Sequence, residues 1–125
     1  MEVTAKKNEQ VANMVFGSIY PLYLNRLLKN GRTQEELNQV IEWFTGYNES
    51  SIKKLIDDKV TFGDFFKNAT IHPNEHLIKG VVCGYRIEEI ADEFVLYKQC
   101  RQMEKLIDEL AKGRKMEKIL RVEKK

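Results

Sequence analysis

Residues 31–47, GRTQEELNQVIEWFTGY, carry a complete set of start and stop signals for one helix. Thr33 followed three residues later by Glu36 predicts a capping box, in which each side chain satisfies a backbone N–H at the helix start. Gly46 is predicted to end the helix in the left-handed conformation, with Tyr47 packing back onto it. Four apolar residues between these ends have the spacing of one buried helical stripe: Leu37, Val40, Ile41 and Phe44. We therefore interpret the stretch as a structural unit of the fold.

The sequence before this unit predicts two further helices. The first is predicted to begin at about Asn8. Ser18 is a predicted N-cap for the second, because Pro21 then lies in the first turn, where its missing N–H is tolerated. Gly31 is predicted to end that second helix in a left-handed conformation.

The sequence after the unit predicts several short pieces and one long helix. Asn48 and Thr61 are predicted N-caps, and Pro73 occupies a predicted first helical position. Residues 80–87, GVVCGYRI, are rich in β-branched residues, but a lone strand has nothing to pair with, so we predict a buried turn or a short helix there. A long helix is predicted over residues 92–111, followed by a last amphipathic piece.

The 92–111 helix carries a heptad-like apolar stripe. That stripe is compatible with two structures: it either packs into the protein's own core or pairs with the same helix of a second copy in a homodimer. Sequence alone leaves both open. The stripe consists of Leu96, Cys100, Met103, Ile107 and Leu110.

Together these elements predict an all-α fold, a compact bundle of six or seven short helices with one longer C-terminal helix. The chain has 125 residues, enough to bury a core without disulfides or metals. Residues 8–121 are expected to form a single helical domain. Residues 1–7 and 122–125 are expected to be disordered tails.

Composition limits the location and the chemistry of the protein. The chain is 42% apolar and 32% charged, which argues against global disorder. No run approaches the roughly 18 apolar residues of a membrane helix, and the N-terminus lacks a convincing cleavage site. We therefore expect a cytoplasmic protein without a membrane partner. Cys83 and Cys100 form no CxxC pair, and we predict two reduced, packed thiols.

Four ordered motifs resemble a known family. They are YPLY, GRTQEELNQVIEWFTGY, GVVCGYRIEEI and LIDELAKGRKMEKILR, and the resemblance spans about residues 12–121. The chain is similar to a family of small bacterial proteins catalogued as domain of unknown function DUF2200. That resemblance implies no activity, substrate or catalytic residue.

The sequence offers little support for catalysis or a cofactor. HPNEH, residues 72–76, matches a zinc-peptidase pattern, but Pro73 places His72 at a helix cap, and whether His72 and His76 bind metal is left open. No G-x-S-x-G elbow accompanies a histidine base, and GVVCGYR lacks the order of a phosphate-binding loop. We expect no cofactor and no metal, and an enzyme is the less favoured interpretation.

A helix-turn-helix interpretation of residues 20–45 fails on charge. The segment from Gln34 to Ser51 has no Lys or Arg, and a helix without them repels phosphates. The basic excess lies instead in residues 112–125, which hold seven basic and two acidic side chains.

The function that best fits these observations is a non-enzymatic binding or assembly module. Its candidate ligand-binding residues are Arg32, Trp43, Tyr47, Tyr85 and Arg86. The alternative is weak, non-specific association with nucleic acid through the basic C-terminal segment, with its charges turned outward. The residues predicted for that role are Lys112, Arg114, Lys115, Lys118 and Arg121.

Overall fold

A computed structural model of the protein describes residues 3–121. Within them the chain forms seven α-helices, three short 3-10 helices and one two-stranded antiparallel sheet. The all-α prediction is confirmed. The α-helices are α1 (Ala5–Ala12), α2 (Phe16–Lys29), α3 (Gln34–Thr45), α4 (Glu49–Asp57), α5 (Phe62–Lys67), α6 (Val95–Ala111) and α7 (Met116–Ile119).

The capped unit of residues 31–47 contains α3. Thr33 accepts a hydrogen bond from the Glu36 N–H, and the Glu36 carboxylate accepts one from the Thr33 N–H, which completes the predicted capping box. Gly46 ends the helix with φ of 77°. The predicted stripe lies fully in the core. The cap, the stop and the stripe therefore form as predicted, whereas the Tyr47 ring lies against Phe65 of α5.

The core is centred on aromatic side chains from α2 and α5. Phe16, Phe62 and Phe65 are completely buried, and the rings of Phe16 and Phe65 stack with centroids 4.2 Å apart. The backbone joins the two helix starts directly through an antiparallel bridge between Val15 and Thr61. This bridge brings the first residues of α2 and α5 together.

The start of α2 differs from the prediction. The helix begins at Phe16, so Ser18 is not its cap and Pro21 lies inside the helix. Val15 precedes the helix without a side-chain hydrogen bond. The Phe16 N–H instead donates to the Val60 carbonyl at 2.9 Å, so a tertiary contact replaces the local cap that the sequence suggested.

Residues 80–87 form a β-hairpin, so the predicted buried turn or short helix is wrong. Its strands are β1 (Val81–Val82) and β2 (Tyr85–Arg86), paired antiparallel. Cys83 and Gly84 form the two-residue loop with φ of 51° and 82°, the positive values of a type I′ turn. The segment supplies both strands itself, which answers the objection that a strand here has no partner.

The long C-terminal helix begins with a 3-10 turn, Asp92–Phe94, and continues as α6. Its predicted stripe packs inside the molecule: Cys100, Met103, Ile107 and Leu110 are buried, and Leu96 is half-buried against the same core. The intramolecular interpretation of the stripe is therefore the one that the structure supports.

The first helix begins earlier than predicted. Thr4 caps α1, which begins at Ala5 rather than at Asn8, so the helix includes three residues that were expected in the N-terminal tail. Residues 1–2 and 122–125 lie outside the described residues. Between 3 and 121, no helix combines the length and apolar character needed to span a membrane.

Candidate functional site

A cavity of about 590 Å³ lies between the hairpin, α2 and α6, and we call it the hairpin cavity. The hairpin is held over α6 partly by Lys105, whose Nζ donates to the Val81 carbonyl at 3.1 Å. Apolar and polar side chains both reach the cavity wall. The wall is formed by Tyr23, Arg26, Val81, Val82, Cys83, Arg101, Glu104, Ile107, Asp108 and Lys112.

Tyr23 contributes an unusual polar group to this wall. Its hydroxyl is buried and has no hydrogen-bond partner within the described residues. Burial raises the pKa of Tyr23 well above its ordinary value, so the hydroxyl keeps its proton and can act as a donor. Buried polar groups in proteins almost always have a partner, so this hydroxyl calls for an acceptor in the cavity.

Charged side chains line the mouth of the cavity. Asp108 accepts from Arg26 at 2.5 Å and lies 3.0 Å from Lys112 Nζ. Burial alone would raise the pKa of Asp108, but the hydrogen bonds from Arg26 and Lys112 outweigh it and lower that pKa. Asp108 is therefore a carboxylate shared by two cations.

One carboxylate of the cavity wall, that of Glu104, contacts two thiols and a guanidinium. Glu104 lies 3.4 Å from Cys83 Sγ, 3.6 Å from Cys100 Sγ and 2.5 Å from Arg101 Nη1. Burial and the Glu104 charge raise the pKa of both thiols. Arg101 also donates to Tyr97, so its charge is well satisfied. The thiols are hydrogen-bond donors here and are poor nucleophiles at neutral pH.

Residues 10–121 match the family described as "Uncharacterized protein conserved in bacteria (DUF2200)". The chain belongs to the DUF2200 family. The resemblance read from the four motifs is thereby confirmed.

One solved structure extends the likeness of this DUF2200 protein to three dimensions. The crystal structure of uncharacterized protein SP1917 is 37% identical, with a TM-score of 0.82, and the match covers 90% of this chain and 91% of that one. No curated protein matches the chain. Neither the family description nor that of SP1917 includes an activity, so function has to be argued from the site.

None of the five ligand-binding candidates lines the hairpin cavity of this DUF2200 protein. Three of them make structural contacts elsewhere. Arg32 pairs with Glu36 at 2.9 Å, and its Nε is buried without a partner among the described residues. Trp43 stacks on the His72 ring with centroids 4.2 Å apart, and Tyr47 donates to the Phe65 carbonyl.

Tyr85, a further candidate, lies in the hairpin, but its side chain packs outside the hairpin cavity. Its ring meets Tyr97 edge-on and has Lys7 and Arg101 at 5.4 and 5.2 Å from its centroid. The hydroxyl accepts from Lys7 at 2.9 Å. Hydrogen bonds from Lys7 and with Tyr97 lower the pKa of Tyr85. Its polar atom is therefore already engaged.

Arg86, the last candidate, borders a second cavity of about 500 Å³ together with Tyr85. Its guanidinium lies 3.9 Å from Glu88 and 4.0 Å from Glu89. Among residues 3–121, no residue that lines this second cavity has a buried polar side-chain atom without a hydrogen-bond partner. For that reason the hairpin cavity is the stronger candidate.

The basic C-terminal segment is less available than predicted. Ile119 is buried, as its apolar spacing indicated. Arg121 makes a two-pronged contact with Glu109 at 2.7 and 2.8 Å, and Arg114 lies 3.0 Å from the same carboxylate. The prediction of outward charge is therefore wrong for Arg121. Lys112 pairs with Asp108 in the hairpin cavity.

The HPNEH motif caps a short 3-10 helix, Pro73–Leu77, as its proline indicated. His72 Nδ1 accepts from the Asn74 N–H at 3.0 Å, and His76 Nδ1 lies 2.9 Å from the Pro73 carbonyl oxygen. Over residues 3–121, no three His, Cys, Asp or Glu side chains are grouped closely enough to hold a metal ion. The two imidazoles serve local structure.

The residues that form the hairpin cavity were not predicted as a site from the sequence. One signal for them was present: Arg101, Glu104, Asp108 and Lys112 are spaced as i, i+3, i+7 and i+11, which places them on one face of a helix. This polar face adjoins the apolar stripe of α6. Tyr23 carried no comparable signal, because its burial depends on the hairpin folding over it.

Proposed function

We propose that this DUF2200 protein is a non-enzymatic binding module that holds a ligand in the hairpin cavity. The observation that carries the proposal is the buried Tyr23 hydroxyl, which has no partner within the described residues. An unpaired buried hydroxyl costs about 1–3 kcal/mol. A ligand atom that accepts this hydrogen bond removes that cost when it binds.

The size and chemistry of the cavity support the proposal. Small-molecule sites usually occupy about 300–1,000 Å³ and combine an apolar wall with a few polar groups. The hairpin cavity, at about 590 Å³, falls within that range and has Val81, Val82 and Ile107 beside its charged side chains. The thiol on its wall, that of Cys83, has a raised pKa, which favours binding over nucleophilic chemistry.

A thermal-shift screen tests the proposal with one blocking variant and one matched control. Val81→Trp places a bulky ring at the cavity wall, where Val81 is 48% exposed. Leu28→Trp makes a similar change at a 54% exposed position on α2 that does not line the cavity. The screen uses small carboxylates, phosphates, amines and sugars.

We expect at least one class to raise the melting temperature of the wild type and of Leu28→Trp, and to leave Val81→Trp unchanged. Equal responses by all three proteins, or no response by the wild type, would reject the hairpin cavity as a binding site. Native mass spectrometry of the purified wild type adds a direct search for a retained ligand and reports the oligomeric state.

Association with nucleic acid is a second and weaker proposal. It rests on Lys115 and Lys118, which are exposed and form no ion pair within the described residues. A truncation before α7 is unsuitable as a test because Ile119 is buried. The test compares the double variant Lys115→Gln/Lys118→Gln with the double variant Lys53→Gln/Lys54→Gln on α4. Both are titrated at low salt with a mixed-sequence duplex and with a single strand. If the two double variants bind these nucleic acids equally well, this proposal is rejected.

Two further parts of the proposal concern location and assembly. We propose a cytoplasmic location, which agrees with two cysteines present as free thiols. A homodimer through the 92–111 helix stays a prediction, but the stripe that suggested it is packed in the core. A dimer would have to use exposed positions of that helix, of which Val95 is the most apolar at 54% exposure.

A further inference from the structure

We infer that the ligand of the hairpin cavity is a small organic anion, with a compact carboxylate or phosphate head and a short apolar body. This inference rests on the binding function proposed above and names its ligand class. Three properties of the cavity support it: its net charge, its surplus of hydrogen-bond donors and its apolar wall.

The cavity wall carries an excess of positive charge. Three cations, Arg26, Arg101 and Lys112, face two carboxylates, Glu104 and Asp108, which leaves one positive charge uncompensated. The excess lies at the mouth, where Asp108 is shared by Arg26 and Lys112. A bound monoanion makes the site neutral, whereas a cation would add to the imbalance.

Hydrogen-bond donors outnumber acceptors in the same way. Glu104 already accepts from Arg101 and lies against two thiols, and Asp108 already accepts from two cations. Arg26 has five N–H donors, and one of its nitrogens contacts Asp108. Donors that remain at the mouth therefore come from Arg26 and Lys112, and the buried donor at the wall is Tyr23.

An amine or a neutral polyol meets this site less well than an anion does. An amine needs acceptors, and both carboxylates are occupied by cations or thiols. A polyol brings as many donors as acceptors, so it leaves part of its own groups unpaired. A carboxylate or phosphate brings only acceptors. Acceptors are what the Tyr23 hydroxyl and the remaining N–H groups of Arg26 need.

The apolar part of the wall limits the rest of the ligand. Val81, Val82 and Ile107 supply aliphatic surface next to the charged groups. A short branched alkyl chain buried there gains roughly 0.8 kcal/mol per methylene in transfer free energy. The inference therefore specifies an anionic head with an aliphatic body rather than a bare inorganic ion.

Four probes with the same body and different heads test the inference. They are 3-methylbutanoate, 3-methylbutyl phosphate, 3-methylbutanamide and 3-methylbutylamine, titrated to millimolar concentration into uniformly ¹⁵N-labelled full-length protein. The amide chemical shifts of Val82 and Cys83, which line the cavity, report binding there. We expect saturable shifts with one or both anions, which also distinguishes a carboxylate site from a phosphate site, and none with the amide or the amine.

Three variants link the binding to the named side chains. Tyr23→Phe keeps the ring and removes the hydroxyl, and we expect it to weaken anion binding about tenfold. Lys112→Gln removes one charge from a side chain that is 72% exposed, and we expect a loss of roughly two- to fivefold. Lys115→Gln removes an exposed charge outside the cavity and should leave the affinity unchanged.

The outcomes separate the inference from the proposed function. If the amine or the amide shifts the cavity resonances as strongly as the anions do, the cavity is a binding site but the anion inference is wrong. If no probe shifts them, the anion inference fails, and the thermal-shift screen, which also includes sugars, decides the proposed function separately. If the anions bind and Tyr23→Phe binds them equally, the assignment of the hydroxyl as the buried donor is overturned.

Discussion

Gly46 is held in the left-handed region, with φ of 77°, at the end of α3. A side chain at this position meets two obstacles. The positive φ costs an L-residue roughly 1–2 kcal/mol, and a Cβ would lie 3.2 Å from the Thr70 carbonyl oxygen. We therefore expect Gly46→Val to lower the free energy of unfolding by more than about 2 kcal/mol, measured by urea denaturation.

Gly31 provides the matched control for that measurement. Its φ is 76°, but nothing lies within 4 Å of an added Cβ. Gly31→Val therefore carries the backbone strain alone, and the difference between the two variants measures the crowding by Thr70. A Gly46→Val protein no less stable than Gly31→Val would show that Thr70 moves away freely.

Cys83 and Cys100 are predicted to react very differently with an alkylating reagent. Cys83 is exposed and Cys100 is buried. Burial and the nearby Glu104 charge raise the pKa of Cys83, so little thiolate is present at neutral pH. We expect slow iodoacetamide labelling of Cys83 at pH 7.5, a rate that rises as the pH approaches that raised pKa, and faster labelling in Glu104→Gln.

Cys100 serves as the internal control, because peptide mass spectrometry reports both sites in one sample. It should remain unlabelled in the wild type and in Glu104→Gln, provided that the variant stays folded. Labelling of Cys100 in step with Cys83 would mean that the core opens. An unchanged Cys83 rate in Glu104→Gln would contradict the proposed effect of the carboxylate.

Among helices and strands, those with local signals were the predictable ones. The caps at Thr33, Asn48 and Thr61 form as predicted, because each bond joins residues three apart in the chain. The start of α2 was mispredicted because it depends on a tertiary hydrogen bond from Phe16 to Val60. A contact between residues so far apart in the chain cannot be predicted from the neighbouring sequence.

The hairpin was missed for a different reason, which is the residue at its turn. A type I′ turn favours Asn-Gly or Asp-Gly, and this hairpin has Cys83 before its glycine with φ of 51°. Cysteine gives no turn signal, and each strand has only two residues. A strand is recognised from alternating apolar and polar residues, and two residues are too few to show that alternation.

This mismatch leads to a prediction for the hairpin as a unit. Cys83→Asn creates the favoured Asn-Gly pair, and we expect it to stabilise the protein by roughly 0.5 kcal/mol in chemical denaturation. Cys83→Ser is the control, since it keeps a small donor near Glu104 without the preference for positive φ. If Cys83→Asn is less stable than Cys83→Ser, the turn is governed by the thiol contact with Glu104 rather than by backbone preference.

The molecule as a whole determines the hairpin cavity, and for that reason the sequence revealed only part of it. Tyr23 and Cys83 are far apart in the chain and meet because the hairpin folds over α2 and α6. The three charged residues of α6 and its C-cap Lys112 were visible as one helical face, but nothing local placed a cavity beside them. Helix caps could be predicted from neighbours in sequence, whereas a cavity wall requires the assembled fold.

In the assembled fold the two faces of α6 lie in different surroundings. Its charged face lines the cavity, and its apolar stripe packs in the core. Met103 belongs to the stripe and is completely buried, so we expect Met103→Ala to lower the free energy of unfolding by about 2–5 kcal/mol. Val95, on the same helix, is 54% exposed, and Val95→Ala should change it by less than about 0.5 kcal/mol. Sedimentation should give the same mass for both variants and the wild type across a wide concentration range, because the stripe packs inside the molecule. If Met103→Ala instead keeps its stability and changes the mass, the stripe is a dimer interface after all.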